Sequence, residues 1–174
     1  MTLHSHILVD ASVARSVGEP PSDEVSAACL RLVRVLEQRD CATGIAITPA
    51  LQREWHRHAP RMVAAWLARM ESTHRIRRAP DKPVRDLRKA LACVSDAGKR
   101  VAIEKDLHLS EAAILLNLPV ASRDERQRRY LGELAPTYAA AGRVQWMNPA
   151  KNDEPEWTEW IMRGCTDQVV YRTA

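Results

Sequence analysis

Residues 6–12 read His-Ile-Leu-Val-Asp-Ala-Ser, and the reading of this stretch decides the fold. A short β-prone apolar run closed by an acid predicts a strand buried on both faces, with Asp10 at its C-terminal end. Downstream, Gly18-Glu19-Pro20-Pro21 breaks the chain, and Ser22 or Asp23 can cap a helix whose apolar positions Val25, Cys29, Leu32, Val33 and Leu36 recur at helical spacing. Thr43 to Thr48 reads as a second strand, and Thr48-Pro49 opens a helix that carries Leu51, Glu54 and Trp55. Pro60 restarts a helix through about Glu71 with Met62, Val63, Trp66, Leu67 and Met70 on one face, which predicts core packing or a homodimer contact. Thr73 to Pro83 reads as a basic connection, and Val84 to Val94 as a helix with Gly98 at or beyond its end.

Asp106 opens an apolar helix, Leu109 to Leu116, which stops at Asn117-Leu118-Pro119. A short strand, Pro119 to Ser122, then runs into Arg123-Asp124-Glu125; a basic helix and a last strand around Arg143 to Met147 follow. Strands alternating with helices over short connections predict an α/β domain with a mainly parallel central sheet flanked by helices, spanning residues 1–150. Residues 151–174, with Trp157, Trp160 and Ile161 at helical spacing, predict a helical tail packed on that domain.

A chain of 174 residues with 45% hydrophobic and 28% charged side chains has room for one real core, built from Leu, Val, Ile and Ala because Phe is absent. The longest apolar stretch, around Ala112 to Leu116, falls far short of the roughly 20 residues of a membrane span. No basic n-region opens the chain, so the expectation is a cytoplasmic protein without a membrane partner. Cys29, Cys41, Cys93 and Cys165 form no C-x-x-C pair and no zinc-like cluster, which fits a reducing compartment; Cys29 and Cys93 read as buried members of apolar helix faces. The tail from residue 151 holds three basic and five acidic residues, net −2, which leaves 23 basic against 17 acidic before it, net +6. Of the 26 basic residues 21 are Arg, suited to phosphate contacts. Arg75-Ile76-Arg77-Arg78 and Arg123 to Arg129 are the segments expected to meet phosphates, or else to form solvated faces.

No G-x-G-x-x-G, P-loop, G-x-S-x-G or H-E-x-x-H motif is present, which argues against nucleotide cofactors of those types and against the hydrolases those motifs mark. The acids carry the signal instead. Ligands of parallel α/β sheets bind outside the carboxyl ends of the strands. Asp10 and Asp124 fall at such ends, Asp106 at the start of the helix feeding the second of them, and Glu54 in the helix after strand two. Two carboxylates about 4 Å apart repel by roughly 4 kcal/mol at an effective dielectric of 20. A hard cation such as Mg2+ or Mn2+ removes that cost and can activate water against a phosphodiester. Each acid also has an ordinary reading: Asp10 and Asp124 as loop residues, Asp106 as a helix cap, Glu54 as a solvated helix Glu beside Arg53 and Arg57. Glu111, in an otherwise apolar helix, either joins the site or pairs with an Arg. Glu104 and Glu125 are lesser candidates, as is His108 for a substrate contact.

The order and spacing of Val9-Asp10-Ala11-Ser12, Thr48-Pro49 through Glu54-Trp55, Asp106 with its helix, and Ser122-Arg123-Asp124 resemble the PIN-domain nucleases, which include the toxins of VapBC-type toxin–antitoxin pairs. The resemblance covers residues 7 to about 147. It implies a three-layer PIN-like fold and a Mg2+- or Mn2+-dependent endoribonuclease, with Asp10, Glu54, Asp106 and Asp124 as catalytic metal ligands. Ser12 and Ser122 match small hydroxyl positions near the metal, Arg123 and Arg126 flank Asp124 where an RNA strand would lie, and the resemblance implies all four as substrate contacts. An antitoxin protein and a second copy of the chain are further partners that it implies. Two competing readings remain: a non-catalytic PIN-like module that binds RNA or protein, and a Mg2+-dependent phosphatase, the latter disfavoured because Asp10-Ala11-Ser12 lacks the second acid of an Asp-x-Asp nucleophile motif.

Overall fold

The computed structural model describes residues 5–166 and 171–174. The elements follow in the order β1 (Ser5–Val9), α1 (Ala11–Ala14), α2 (Glu24–Glu37), β2 (Thr43–Ile47), α3 (Pro49–His58), α4 (Arg61–Ser72), β3 (Ile76–Arg78), α5 (Arg85–Ala92), α6 (Ala97–Lys105), α7 (Leu107–Leu116), β4 (Val120–Ala121), α8 (Glu125–Leu134), α9 (Ala139–Gly142), β5 (Trp146–Met147) and α10 (Glu154–Met162). The five strands form one sheet in the order β3-β2-β1-β4-β5, with every neighbouring pair parallel. β1 is central, Leu8 lying between Ala46 of β2 and Val120 of β4.

Successive side chains of a strand point to opposite faces of the sheet. Ile7, Leu8 and Val9 all have no exposed surface, so both faces of β1 are covered. Helix α2 packs on α4 and α10, while α7 packs on α3, α6 and α9. The result is the expected α/β architecture, a parallel sheet between layers of helices, consistent with a three-layer PIN-like fold. The tryptophans of the middle and of the tail (Trp55, Trp66, Trp157, Trp160) are buried in this core.

Helix boundaries follow their capping chemistry. Asp23 accepts from Ser26 N at the start of α2, and Thr48 accepts from Leu51 N at the start of α3, which Pro49 opens. Helix α7 ends where Asn117 takes the left-handed conformation at φ 50°. Gly44 in β2 is needed for close approach, because a Cβ there would lie 2.6 Å from the Arg75 carbonyl oxygen.

Four expectations are corrected. The basic connection contains the edge strand β3, whose Ile76-Arg77-Arg78 has too little apolar character to register as a strand. Helix α6 fills a stretch where the sequence suggests no element: Asp96 caps it through Lys99 N, and Gly98 lies near its start, beyond the end of α5 as expected. Cys93 is exposed because α5 stops at Ala92, whereas Cys29 is buried and its thiol is pushed up to about 11 by burial. Arg75 is not part of a phosphate footprint: it is 6% exposed, and its guanidinium donates to the carbonyls of Gln38, Cys41 and Thr43, tying down the turn before β2.

No helix among the described residues is long and apolar enough to cross a membrane. The chain runs from β1 through β2 and β3 on one side of the sheet, then crosses to β4 and β5 on the other. The reversal of strand order falls between β1 and β4, so their carboxyl ends frame the crevice where such sheets bind ligands.

Candidate active site

Asp10 is the first residue beyond β1, and its N–H donates to Ala121 O at 2.9 Å, carrying the β1–β4 ladder one step further. The hydroxyls of Ser12 and Ser122 both donate to its Oδ2, the latter at 2.7 Å. Each hydroxyl in turn accepts from the loop after β4: Ser12 Oγ from Arg123 N at 3.1 Å and Ser122 Oγ from Asp124 N at 3.0 Å. Two serines thus lock the Asp10 carboxylate to the β4–α8 loop and leave its Oδ1 out of these bonds. Ser122 has no exposed surface, so it is a positioning residue and not the substrate contact expected of it.

Asp124 caps α8, its Oδ1 accepting from Gln127 N at 2.9 Å. Capping uses one oxygen, and the residue still lines the cleft. Asp106 stands at the N-terminus of α7 yet makes no side-chain cap bond, so its helix does not use the carboxylate. Glu54 is carried by α3, and the adjacent Trp55 fixes that helix to the sheet by donating Nε1–H to Val9 O at 3.1 Å.

Asp10, Glu54, Asp106 and Asp124 line one cleft of about 650 Å³. Burial first, then the charges of Asp10, Asp124 and Glu54, push the Asp106 carboxyl above the usual carboxylate range, against the pull of Lys105. Glu54 is held below that range, chiefly by His108, whose Nε2 lies 3.5 Å from Glu54 Oε2. At that distance the contact is an ion pair and not a formed hydrogen bond. Burial opposes charge on His108, but Glu54, Asp106 and Asp10 together outweigh it and raise its pKa above the ordinary imidazole value.

The structure places Glu111 elsewhere. Its Oε1 accepts from Val84 N at 2.9 Å and Arg88 Nε at 2.6 Å, and its Oε2 from Arg88 Nη2 at 3.0 Å. Glu111 is therefore the buried half of a structural ion pair, the second of the two roles open to it. Of the lesser candidates, Glu125 takes Arg128 and Asn148 as partners, and Glu104 lines a neighbouring cavity with Glu111. Arg123 and Arg126 line the cleft as expected, with Arg123 donating to Ser16 Oγ. Arg15, Arg57, His58 and Lys105 line it too, although as cleft residues they went unrecognised. Their signal was proximity in sequence: Lys105 adjoins Asp106, and Arg57 lies one helical turn beyond Glu54.

No protein-family model matches the chain, and no curated protein matches it significantly, so these comparisons identify no family. The PIN-like reading rests on the acid-bearing segments and the architecture. Among the described residues no group of three His, Cys, Asp or Glu side chains stands close enough to hold an ion between them. The donor set nonetheless suits a hard cation, since it offers carboxylate oxygens and no thiolate. Mg2+ keeps several waters and needs only one or two direct carboxylates. The charges of Asp10, Asp124 and Glu54 that, after burial, push the Asp106 carboxyl up are what such an ion would offset. The residues fit a hydrated ion held partly through water, not a closed protein cage.

Proposed function

We propose that this protein is a Mg2+- or Mn2+-dependent nuclease that hydrolyses phosphodiester bonds in RNA. The observation that carries the reading is the gathering of four acids, from segments up to 114 residues apart in sequence, into one cleft where β1 and β4 end. Asp10, Asp106 and Asp124, with Glu54 at the rim of the group, would hold the ion. When bound, the ion would neutralise phosphodiester charge and activate a water. The rest falls to the chain's own side chains. Ser12 and Ser122 orient Asp10, Trp55 and His108 set where Glu54 sits, and Arg123 and Arg126 draw the strand toward the acids. Free cysteines and the lack of a long apolar helix among the described residues support a cytoplasmic setting.

The test is cleavage of single-stranded RNA by the purified protein with Mn2+. Activity that disappears in Asp10→Asn, with the fold intact by circular dichroism, supports the reading; intact RNA with both proteins defeats it. As the toxin of a toxin–antitoxin pair, the chain would arrest growth on expression, and Asp10→Asn would relieve the arrest. The spacing of the acids favours a second reading, a non-catalytic RNA- or protein-binding module. Calorimetry separates the two, because such a module gives no Mn2+ binding that depends on Asp10 and Asp106.

A further inference from the structure

The walls of the cleft have a composition of their own. Beside the four acids stand Arg15, Arg57, Lys105, Arg123 and Arg126, one more cation than there are carboxylates. They come from separate elements: Arg15 from the end of α1, Arg57 from the last turn of α3, Lys105 from the last turn of α6, and Arg123 and Arg126 from either side of the α8 start. The cations of the cleft therefore come from four separate places in the fold. Arg15, Arg57, Lys105 and Arg126 are exposed, and no ion pair to any of them is found among the described residues. Elsewhere on the surface arginines such as Arg31, Arg34, Arg69, Arg88 and Arg163 pair with carboxylates at 3.0 Å or less. The collar cations remain available although four carboxylates lie beneath them.

The same lining offers little with which to read a base. Among the described residues it contains no Trp, Tyr, Phe, Asn, Gln or Thr, and its one aromatic ring is the imidazole of His58, exposed at the last residue of α3. Its one hydroxyl, on Ser12, already donates to Asp10 and accepts from Arg123 N. Sequence-specific recognition of single strands relies on aromatic stacking and on hydrogen bonds to base edges. Phosphate contacts position a strand without carrying sequence information.

We propose that the cleft takes a single-stranded polyanion by its phosphates on both sides of the acid group, through Arg15, Arg57, Lys105, Arg123 and Arg126, and leaves the bases unread. This inference rests on the nuclease reading for the identity of the polymer, but it concerns binding and is tested without turnover.

The experiment measures fluorescence anisotropy in chelator with labelled RNA strands of about 16 nucleotides: all-uridine, all-adenosine, mixed sequence, and abasic. Affinities within about threefold of one another are expected, with inorganic polyphosphate competing. Log affinity should fall with log salt at a slope of about −3.5, and each of Arg57→Ala and Arg126→Ala should make it shallower by about 0.7. Arg39→Ala, an exposed site at the opposite, N-terminal end of β2, should leave the slope unchanged. A preference above about 30-fold for one base composition, failure of the abasic strand to bind, or equal slopes in all variants would overturn the proposal. A protein that binds all strands alike but cuts none would defeat the nuclease reading and leave this one standing. A protein that cuts RNA while discriminating strongly among the bound strands would do the reverse.

Discussion

Replacing Asp106 by Asn removes a charge and keeps the shape. A carboxylate pair about 7 Å apart repels by about 2 kcal/mol at an effective dielectric of about 20. Asp106 is half-buried and has three acidic neighbours, Asp10, Asp124 and Glu54, with Lys105 pulling the other way. Solvent exposure, salt at about 0.15 M and Lys105 offset most of the repulsion and leave about 1 kcal/mol. Because the Asp106 side chain does not cap α7, Asn forfeits no bond there. In chelator at pH 7, Asp106→Asn is thus expected to raise the melting temperature by about 2–4 °C. The sign with pH follows from the raised pKa. The charged form is what the fold disfavours, so the penalty is present above the folded pKa and fades as pH falls through it. The gap between variant and wild type should close on acidification. Mn2+ at about ten times its dissociation constant should stabilise the wild type by about 1.4 kcal/mol and reverse the order. A lower melting temperature for the variant in chelator at neutral pH would refute the reasoning, for it would mean that Asp106 makes a stabilising contact.

Glu111→Ala strips Val84 N and the Arg88 guanidinium of their shared acceptor and is expected to cost about 2 kcal/mol in urea unfolding; RNA cleavage per folded molecule should not change, and a selective loss of cleavage would return Glu111 to the site. His108→Ala should remove a pH-dependent contribution of about 0.5–1 kcal/mol from its half-buried pair with Glu54. The His108 part, from a raised pKa, is full below about pH 6.5 and lost as pH rises through the folded value, while the Glu54 part, from a lowered pKa, is present above about pH 4.3 and lost as pH falls; a stability difference that stays flat from pH 4 to 8 would contradict the pairing. Removing residues 171–174 should cost about 3–5 kcal/mol, because Tyr171 is buried edge-on to Trp160 and Tyr171 O, Thr173 N and Ala174 N bond to Trp146 N, Val144 O and Gly142 O; an unchanged thermal melt would contradict it.

Much of the architecture was legible because Ile7-Leu8-Val9 in β1 and Ile45-Ala46-Ile47 in β2 are unbroken apolar runs, and because α2 and α3 carry conventional caps at Asp23 and Thr48. β3 was not, since an edge strand needs only one apolar side chain and Ile76 supplies it. Helix α6 escaped for a similar reason: Ile103 is its one buried residue, so no apolar stripe marks it. In the site, the acids could be read from their positions at strand ends, but which oxygens remain free could not. That depends on Ser12, Ser122 and Arg123 meeting across 110 residues of sequence. Arg75 misled for a reason of the same kind. An arginine in a basic run looks solvated until the fold brings three carbonyls to it.

The contrast between Glu111 and the cleft acids bears most directly on function. Both lie in a protein rich in arginine, and neutralising an acid here is easy, as the bidentate Arg88–Glu111 pair shows. At the cleft the chain does otherwise. Asp10 is held by hydroxyls and not by a cation, Asp106 is left with its charge opposed, Glu54 faces the His108 imidazole, and among the described residues Arg15, Arg57, Lys105 and Arg126 of the same cleft make no ion pair. A merely structural cluster would gain stability by drawing those arginines in. Unrelieved electrostatic cost concentrated at the strand-order reversal of a parallel sheet is what a site looks like when its neutralising partners come from outside the chain.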